Sequence, residues 1–536
     1  MSGLTVPRTE TLLRNSTREV VSVRRFGADP NRADNTGPIK AAMEAVPDGT
    51  TLVIPPGTHN CPSWTVFDTA KNLSVICEGE IVGNNVNNST GDFIRVRDDQ
   101  RLKWDGGVIR DFRFAFSLGE PQSIDIRNAR ITECRRGVVG DGVNIGQVVI
   151  HDCEISDLED ANTFGIAIRY ENIGLIDIAR CYIHDLESTG SGATAIIIGK
   201  TSGRVDAGPV NIRQNRIVDI KNPSTTASTR GIVNFARYAK IEDNYCEGIE
   251  AATGSNDDEA IYTKGFGTLI RGNTCVNCSH GEAVINNKGS AFEVDPADGG
   301  HSVSILNNTV IYDGIARVNR AIKSVTSDAL IQGNRGYGLT RGIVFDGDDV
   351  RILDNYLRLD ADDATTKVAI NMFNASRFTI RGNEFPGMGA GSEICWVIRP
   401  TGNCSDGDIA NNKAFVASSS TSSRFVVFGH GAGQTMDRFR INNNQMEGFQ
   451  RAVHYAGDGD VTNLQVRDTV SESGFSGLVH SSLVEETDFG TLRGEGSPEN
   501  AVPAKVGTIY IRLDGGADTT LYVKESGTGN TGWVAK

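Results

Sequence analysis

What the chain is short of narrows the reading first. No stretch of about 18 consecutive apolar residues occurs, which is the length a membrane-spanning helix needs, so membrane insertion is not expected. The opening MSGLTVPRTETLL does not have the charged-then-apolar order of a secretory signal, and export by that route is not expected either. Cations are outnumbered, with 53 Lys and Arg against 67 Asp and Glu, giving a net charge of −14. A nucleic-acid partner is excluded on that balance, because phosphate binding needs a cationic footprint. Ten cysteines scattered over 536 residues do not form the dense framework of a disulfide-stapled domain. Cys275 and Cys278 make one CxxC without a second pair or a suitably spaced His, so buried thiols are expected rather than a zinc site. No Gly-rich phosphate loop and no Ser-His-Asp spacing stands out.

What is present is repetition. A chain of this length exceeds one ordinary globular core, and its 61 glycines suit many short strands with tight turns. Self-alignment recovers an eight-residue phrase, apolar-x-Ile-x-x-Asn-x-apolar, beginning with Ile124–Ile131, Val148–Ile155, Ile176–Ile183 and Val210–Ile217. Later copies place Ile241, Ile270, Ile305, Ile331, Ile352, Ile380, Ile409 and Ile441 in the third slot. The sixth slot runs Ala129, Cys153, Cys181, Asn215, Asn244, Asn273, Asn308, Asn334, Asn355, Asn383, Asn412 and Asn444. Successive sixth-slot residues are 21 to 35 positions apart, the period of a solenoid in which one repeat is one coil. Each phrase alternates apolar and polar residues before a turn-forming Gly, Asp or Asn, and so reads as a short strand ending in a bend. Coils stacked at about 4.8 Å would superpose the asparagines as an internal ladder, a structural role rather than a catalytic one.

Both open ends of a solenoid need covering. Thr36–Val46 puts Ile39, Ala42, Met43 and Val46 on one helical face, with Asn35 or Thr36 as cap and Pro38 in the first turn, ahead of the strand TLVIPPGTH. At the other end, RGEGSPENAVPAK reads as a linker, followed by two alternating strands around Asp514, Gly515 and Gly516 and a final Trp533.

The segment from Arg24 to His59 resembles the entry of the pectate-lyase-like β-helix superfamily, through Phe26, Gly27, Ala28, Asp29, Asp34, Thr36, Ile39, Ala42, Pro55, Pro56 and Gly57. Taken with the repeats, the expected fold is all-β: a right-handed parallel β-helix with a short N-terminal capping helix and a small C-terminal β module. The expected division is an extension over 1–20, the entry segment over 21–72, the helix body over 73–490, and the linker with its module over 491–536. The same entry is common in bacteriophage tailspikes, and the end module resembles the short terminal modules of phage tail proteins. The resemblance implies a virion component made in the host cytoplasm and acting at the bacterial surface. It further implies a homotrimer whose partners are a bacterial polysaccharide and other phage tail proteins.

Unlike residues on neighbouring coils are where a β-helix would do chemistry. Asn256–Ser290 stands out for its acids, lysines, tyrosine and histidine. Asp257, Asp258 and Glu259 are hard oxygen donors of the kind calcium takes, and Lys264 follows on the same run. This stretch is similar to the chondroitinase B and alginate lyase family, with Asp257, Glu259, Ile261, Lys264, Asn273, Thr274 and Cys278 in that motif's places. By that resemblance Asp257 and Glu259 hold Ca2+, and Lys264 is the base of a β-elimination. Where the family carries Arg-His-Gly, this chain has Asn286, Asn287, Lys288 and Gly289, so Lys288 would replace the arginine as a less rigid charge. Tyr262 and His280 complete the catalytic candidates, and Asn286, Asn287 and Glu293 the substrate-binding ones. Each has a plainer reading: the acids as a solvated turn, the lysines as surface charge, His280 as a turn residue, Tyr262 as a sheet-face aromatic. A hydrolase would instead pair two carboxylates from Asp257, Glu259, Glu282, Glu293 and Asp295. The expected function is a tailspike-like depolymerase, by elimination or hydrolysis. Its alternatives are a uronate epimerase and a non-catalytic receptor-binding fibre.

Overall fold

The computed structural model describes residues 19–536 except 63–66, 70–71, 85–90, 201–204, 225–227, 252–257, 279–282, 288–301, 313–319, 360–365, 389–393, 417–422, 430, 457–459, 468–469, 472–476, 480–490, 505 and 528. The chain divides into two compact units, Met1–Gly265 and Phe266–Lys536. Each is a parallel β-helix, as the repeats require.

In the first unit the helix occupies Thr36–Ala45 and buries Pro38, Ile39, Ala42 and Met43. Asn35 takes the N-cap position, as one of the two expected caps, but its side chain makes no capping bond. Asp34 accepts the Thr36 N–H at 2.8 Å, while the fully buried Asn35 amide turns back to accept the Asp29 N–H at 2.9 Å. The third-slot isoleucines then stack in parallel register, Ile126 on Ile150, Ile178, Ile212 and Ile241, all 0% exposed. In the second unit Ile270, Ile305, Ile331, Ile352, Ile380, Ile409 and Ile441 form the equivalent row.

The fifth slot explains its own composition. Asp152, Asp243, Asn307, Asp354, Asn411 and Asn443 have φ between 50° and 56°, and Gly272, Gly333 and Gly382 between 67° and 70°. That left-handed backbone favours Gly, Asn and Asp, and it bends the chain just before the sixth slot. There the asparagine ladder forms. In the second unit each sixth-slot Oδ1 from Asn308 to Asn444 accepts the backbone N–H and the Nδ2 of the preceding asparagine, at 2.9 to 3.0 Å. In the first unit Asn244 serves Asn215 in the same way, and Asn215 accepts the Cys181 N–H at 3.0 Å. All ten cysteines are free and buried, as the scattered spacing suggests.

The end module is a separate four-stranded sheet, not a two-stranded hairpin. Thr491–Gly494, read from sequence as the approach to and start of the linker, pairs in parallel with Ile509–Arg512. Leu521–Lys524 and Trp533–Ala535 follow antiparallel. Tyr510, Tyr522, Trp533 and Ala504 make its core, because the alternation puts one aromatic from each of three strands on the same face. Among the described residues no helix is long and apolar enough to cross a membrane.

Candidate functional site

Four successive coils of the first unit carry a second strand whose interior residue is Ile166, Ile196, Ile232 or Ile261, stacked in register and 0% exposed. Two rows flank this spine. One runs Phe164, Thr194, Arg230, Glu259; the other runs Val139, Ala167, Ile197, Val233, Tyr262. Val139, Phe164, Ala167, Ile197, Val233 and Tyr262 pack into an apolar cluster of their own, with Phe235 against it. Phe235 meets the Tyr262 ring edge-on at 6.1 Å. Above this floor lies a cavity of about 400 Å³ whose floor includes Phe164, Ile197, Val233 and Phe235 and whose rim includes Asp141, Asn162, Arg169, Lys200, Ser228 and Arg230.

The rim is ordered by charge pairs. Asp141 binds Arg169 at 2.8 Å and Lys200 at 3.7 Å, and Lys200 reaches Glu171 at 3.0 Å. Asp160 takes Arg135 and Arg136 at 2.6 and 3.0 Å. Arg136 and Arg169 flank the Phe164 ring at 5.3 and 5.6 Å, so the aromatic is presented between two guanidinium groups. Burial holds the Arg136 guanidinium below its usual range, opposed by Asp160. The Arg169 Nε–H is buried without an acceptor among the described residues, although the side chain keeps its pairing to Asp141. A buried donor left over beside a cavity is available to a ligand oxygen.

Three of the sequence candidates lie on or just after the next strand in register, and none of them lines the cavity. Glu259 is fully buried and accepts from Arg230 Nε at 2.7 Å, Arg230 being 18% exposed. Tyr262 is 5% exposed, its ring in the apolar cluster and covered by Arg230 at 4.6 Å, the position of a sheet-face aromatic. Lys264 is half-buried just beyond, with Nζ 6.0 Å from the Tyr262 ring. Asn286 is buried in the second unit. Asp257, His280, Lys288 and Glu293 lie outside the described residues, as does the Asn287 side chain.

Of the expected calcium pair only Glu259 is described, and its carboxylate is taken up by the Arg230 guanidinium; Asp257 lies outside the described residues. Among the described residues no group of three His, Cys, Asp or Glu suited to a metal occurs.

Phe164, Arg169, Lys200, Arg230 and Phe235 escaped sequence reasoning, which followed only the Asn-bearing phrase. The signal was one strand further along: FGIAIR, TAIIIG, RGIVNF and EAIYTK align without gaps and set Phe164, Thr194, Arg230 and Glu259 in one column.

No family model matches the chain, and no curated protein matches it. Solved structures do share stretches of architecture. The catalytic unit of a thermostable GH87 α-1,3-glucanase from Streptomyces thermodiastaticus is 12% identical, with a TM-score of 0.34, covering 88% of this chain and 72% of its own. DFA-IIIase from Arthrobacter chlorophenolicus is 14% identical, TM-score 0.35, covering 74% and 94%. Tailspike protein 3 of bacteriophage CBA120 is 11% identical, TM-score 0.35, covering 98% and 70%.

Proposed function

We propose that the chain is a tailspike-like depolymerase that binds and cleaves a bacterial surface polysaccharide in the groove over Phe164 and Phe235. The observation that carries this reading is the pairing of an aromatic floor with a rim of Arg169, Lys200, Asn162 and Ser228. A pyranose ring has an apolar face and a hydroxylated edge, and such a groove meets both at once. A uronate carboxylate would be held by the arginine fork. Lys264 would then remove the proton from the carbon beside that carboxylate. The electron pair forms the new double bond, the glycosidic C–O bond breaks, and the departing oxygen takes up a proton. Incubation with acidic capsular polysaccharide should yield the ultraviolet absorbance of unsaturated uronate, at least 100-fold less with Lys264→Ala, within the range general-base removal gives (~10²–10⁴). Unchanged turnover in Lys264→Ala sinks the elimination step.

Hydrolysis is the second reading, favoured by Asp346 in the second unit. Its carboxyl is pushed above the usual range by burial and then by Asp348, with Lys323 opposing, as a general acid requires. New reducing ends without unsaturation, abolished by Asp346→Asn, would select it.

The same reading makes the protein a homotrimer on a phage tail. What supports self-association is the end module's second face, where Ile509, Leu521 and Val534 are 39%, 37% and 38% exposed on three paired strands. Light scattering at micromolar concentration should give three chain masses, and a stable single-chain mass rejects the trimer.

A further inference from the structure

The second unit has its own pair of flanking rows, and their chemistry differs from that of the groove. One row reads Arg320, Arg341, Val368, Trp396, Arg424, Arg451 through consecutive parallel pairings. Beside it run Lys323, Val344, Asn371 and Arg399, and then Val427 paired with His454. Neither row contains a carboxylate. Six strands at about 4.8 Å spacing give a cationic strip about 24 Å long.

Several arginines elsewhere in this unit are neutralised. Arg377 binds Asp349 at 2.8 Å, Arg381 binds Asp408 at 2.7 Å, and Arg438 binds Asp406 at 2.5 Å. On the strip, Arg341, Arg399 and Arg451 make no ion pair with a carboxylate among the described residues, in a chain whose net charge is −14. Arg399 lies over the Trp396 ring at 4.7 Å, and its Nε–H is buried without an acceptor among the described residues. Burial first and Arg341 second hold the Arg399 guanidinium below its usual range; for Arg424 the causes are burial and Arg451. Like charges gathered where acids are plentiful cost stability, and an anionic ligand is what relieves them.

We infer that this strip is a second binding surface, one that takes a polysaccharide bearing carboxylates along its length. Guanidinium forks match carboxylates in pairs, the half-buried Trp396 offers an aromatic surface to a sugar, and the linear array suits a polymer rather than a single small anion. A nucleic acid is the competing polyanion, and the test below separates the two. The strip lies wholly within Phe266–Lys536 and does not depend on the groove of the first unit.

The test uses the full chain carrying Phe164→Ala and Arg169→Gln, so that the groove contributes little, with fluorescently labelled oligogalacturonate as probe. Adding Arg341→Gln and Arg399→Gln should weaken binding at least tenfold and flatten its salt dependence, with the melting temperature raised. Should that variant not fold, the starting chain still decides: oligogalacturonate should change tryptophan emission, and Trp396→Phe should remove the change. Equal affinity and salt slope in the folded variant, or no emission change, overturns the inference. Tighter binding of a single-stranded oligodeoxynucleotide than of oligogalacturonate overturns it in favour of nucleic acid. Undiminished product from the chain carrying Phe164→Ala and Arg169→Gln, with intact strip binding, would sink the groove assignment and leave this one standing.

Discussion

Replacing Asn355 with alanine should be among the most damaging single changes in the second unit. Its Oδ1 accepts the N–H and Nδ2 of Asn334 at 2.9 Å, and its Nδ2 donates to Ile331 O and Asn383 Oδ1, also at 2.9 Å. Some partners survive the loss. Asn334 Nδ2 keeps Ile305 O and Gln332 O, and Asn383 Oδ1 keeps the Asn355 N–H. The Asn334 N–H and one bond to Ile331 O do not. Two stranded polar groups at about 1–3 kcal/mol each, plus the lost neighbours, give a loss of about 3–5 kcal/mol. That is a large part of a typical domain's 5–15 kcal/mol. The neighbouring Asp354, with φ 54°, provides the control, because the same slot is Gly in other coils and Asp354→Gly should change stability by under about 1 kcal/mol. Urea unfolding followed by circular dichroism measures both. A loss below about 1 kcal/mol for Asn355→Ala would refute the view that the ladder, rather than isoleucine stacking, fixes each bend.

Asp346→Asn should stabilise the protein at neutral pH. A carboxyl whose folded pKa is raised contributes its stability below the unfolded value and loses it as pH rises through the folded one, so the advantage of asparagine should vanish in acid; melting temperatures across pH check this. Burial pushes the Cys61, Cys77 and Cys134 thiols up to about 12, so they should resist alkylation until the chain unfolds, as mass spectrometry of a timed alkylation would show.

The fold was legible because it rests on periodic demands. A left-handed bend every coil selects Asp, Asn or Gly, and a ladder selects Asn, so both leave marks in the letters. The exceptions are instructive: Arg180 holds the same left-handed φ of 55° and is secured by a two-point pairing with Asp152 at 2.8 Å. The cap position at Asn35 was legible, but not that its side chain would turn back to Asp29 and leave Asp34 to accept the Thr36 N–H. The site was harder. Phe164, Arg230 and Glu259 lie far apart in sequence on three different strands, and only the register of neighbouring coils brings them into one row. Of the expected calcium donors Asp257 and Glu259, Glu259 is paired with Arg230 one coil away, and Asp257 lies outside the described residues. That pairing is a property of register, not of spacing.

The most direct test of the groove is a crystal structure of the full chain with an oligosaccharide cut from an acidic capsule. A sugar ring over Phe164 and Phe235, with its carboxylate on Arg169 or Lys200 and its scissile end toward Lys264, is what the account predicts. An empty groove, with the same oligosaccharide bound elsewhere on the chain, would contradict it.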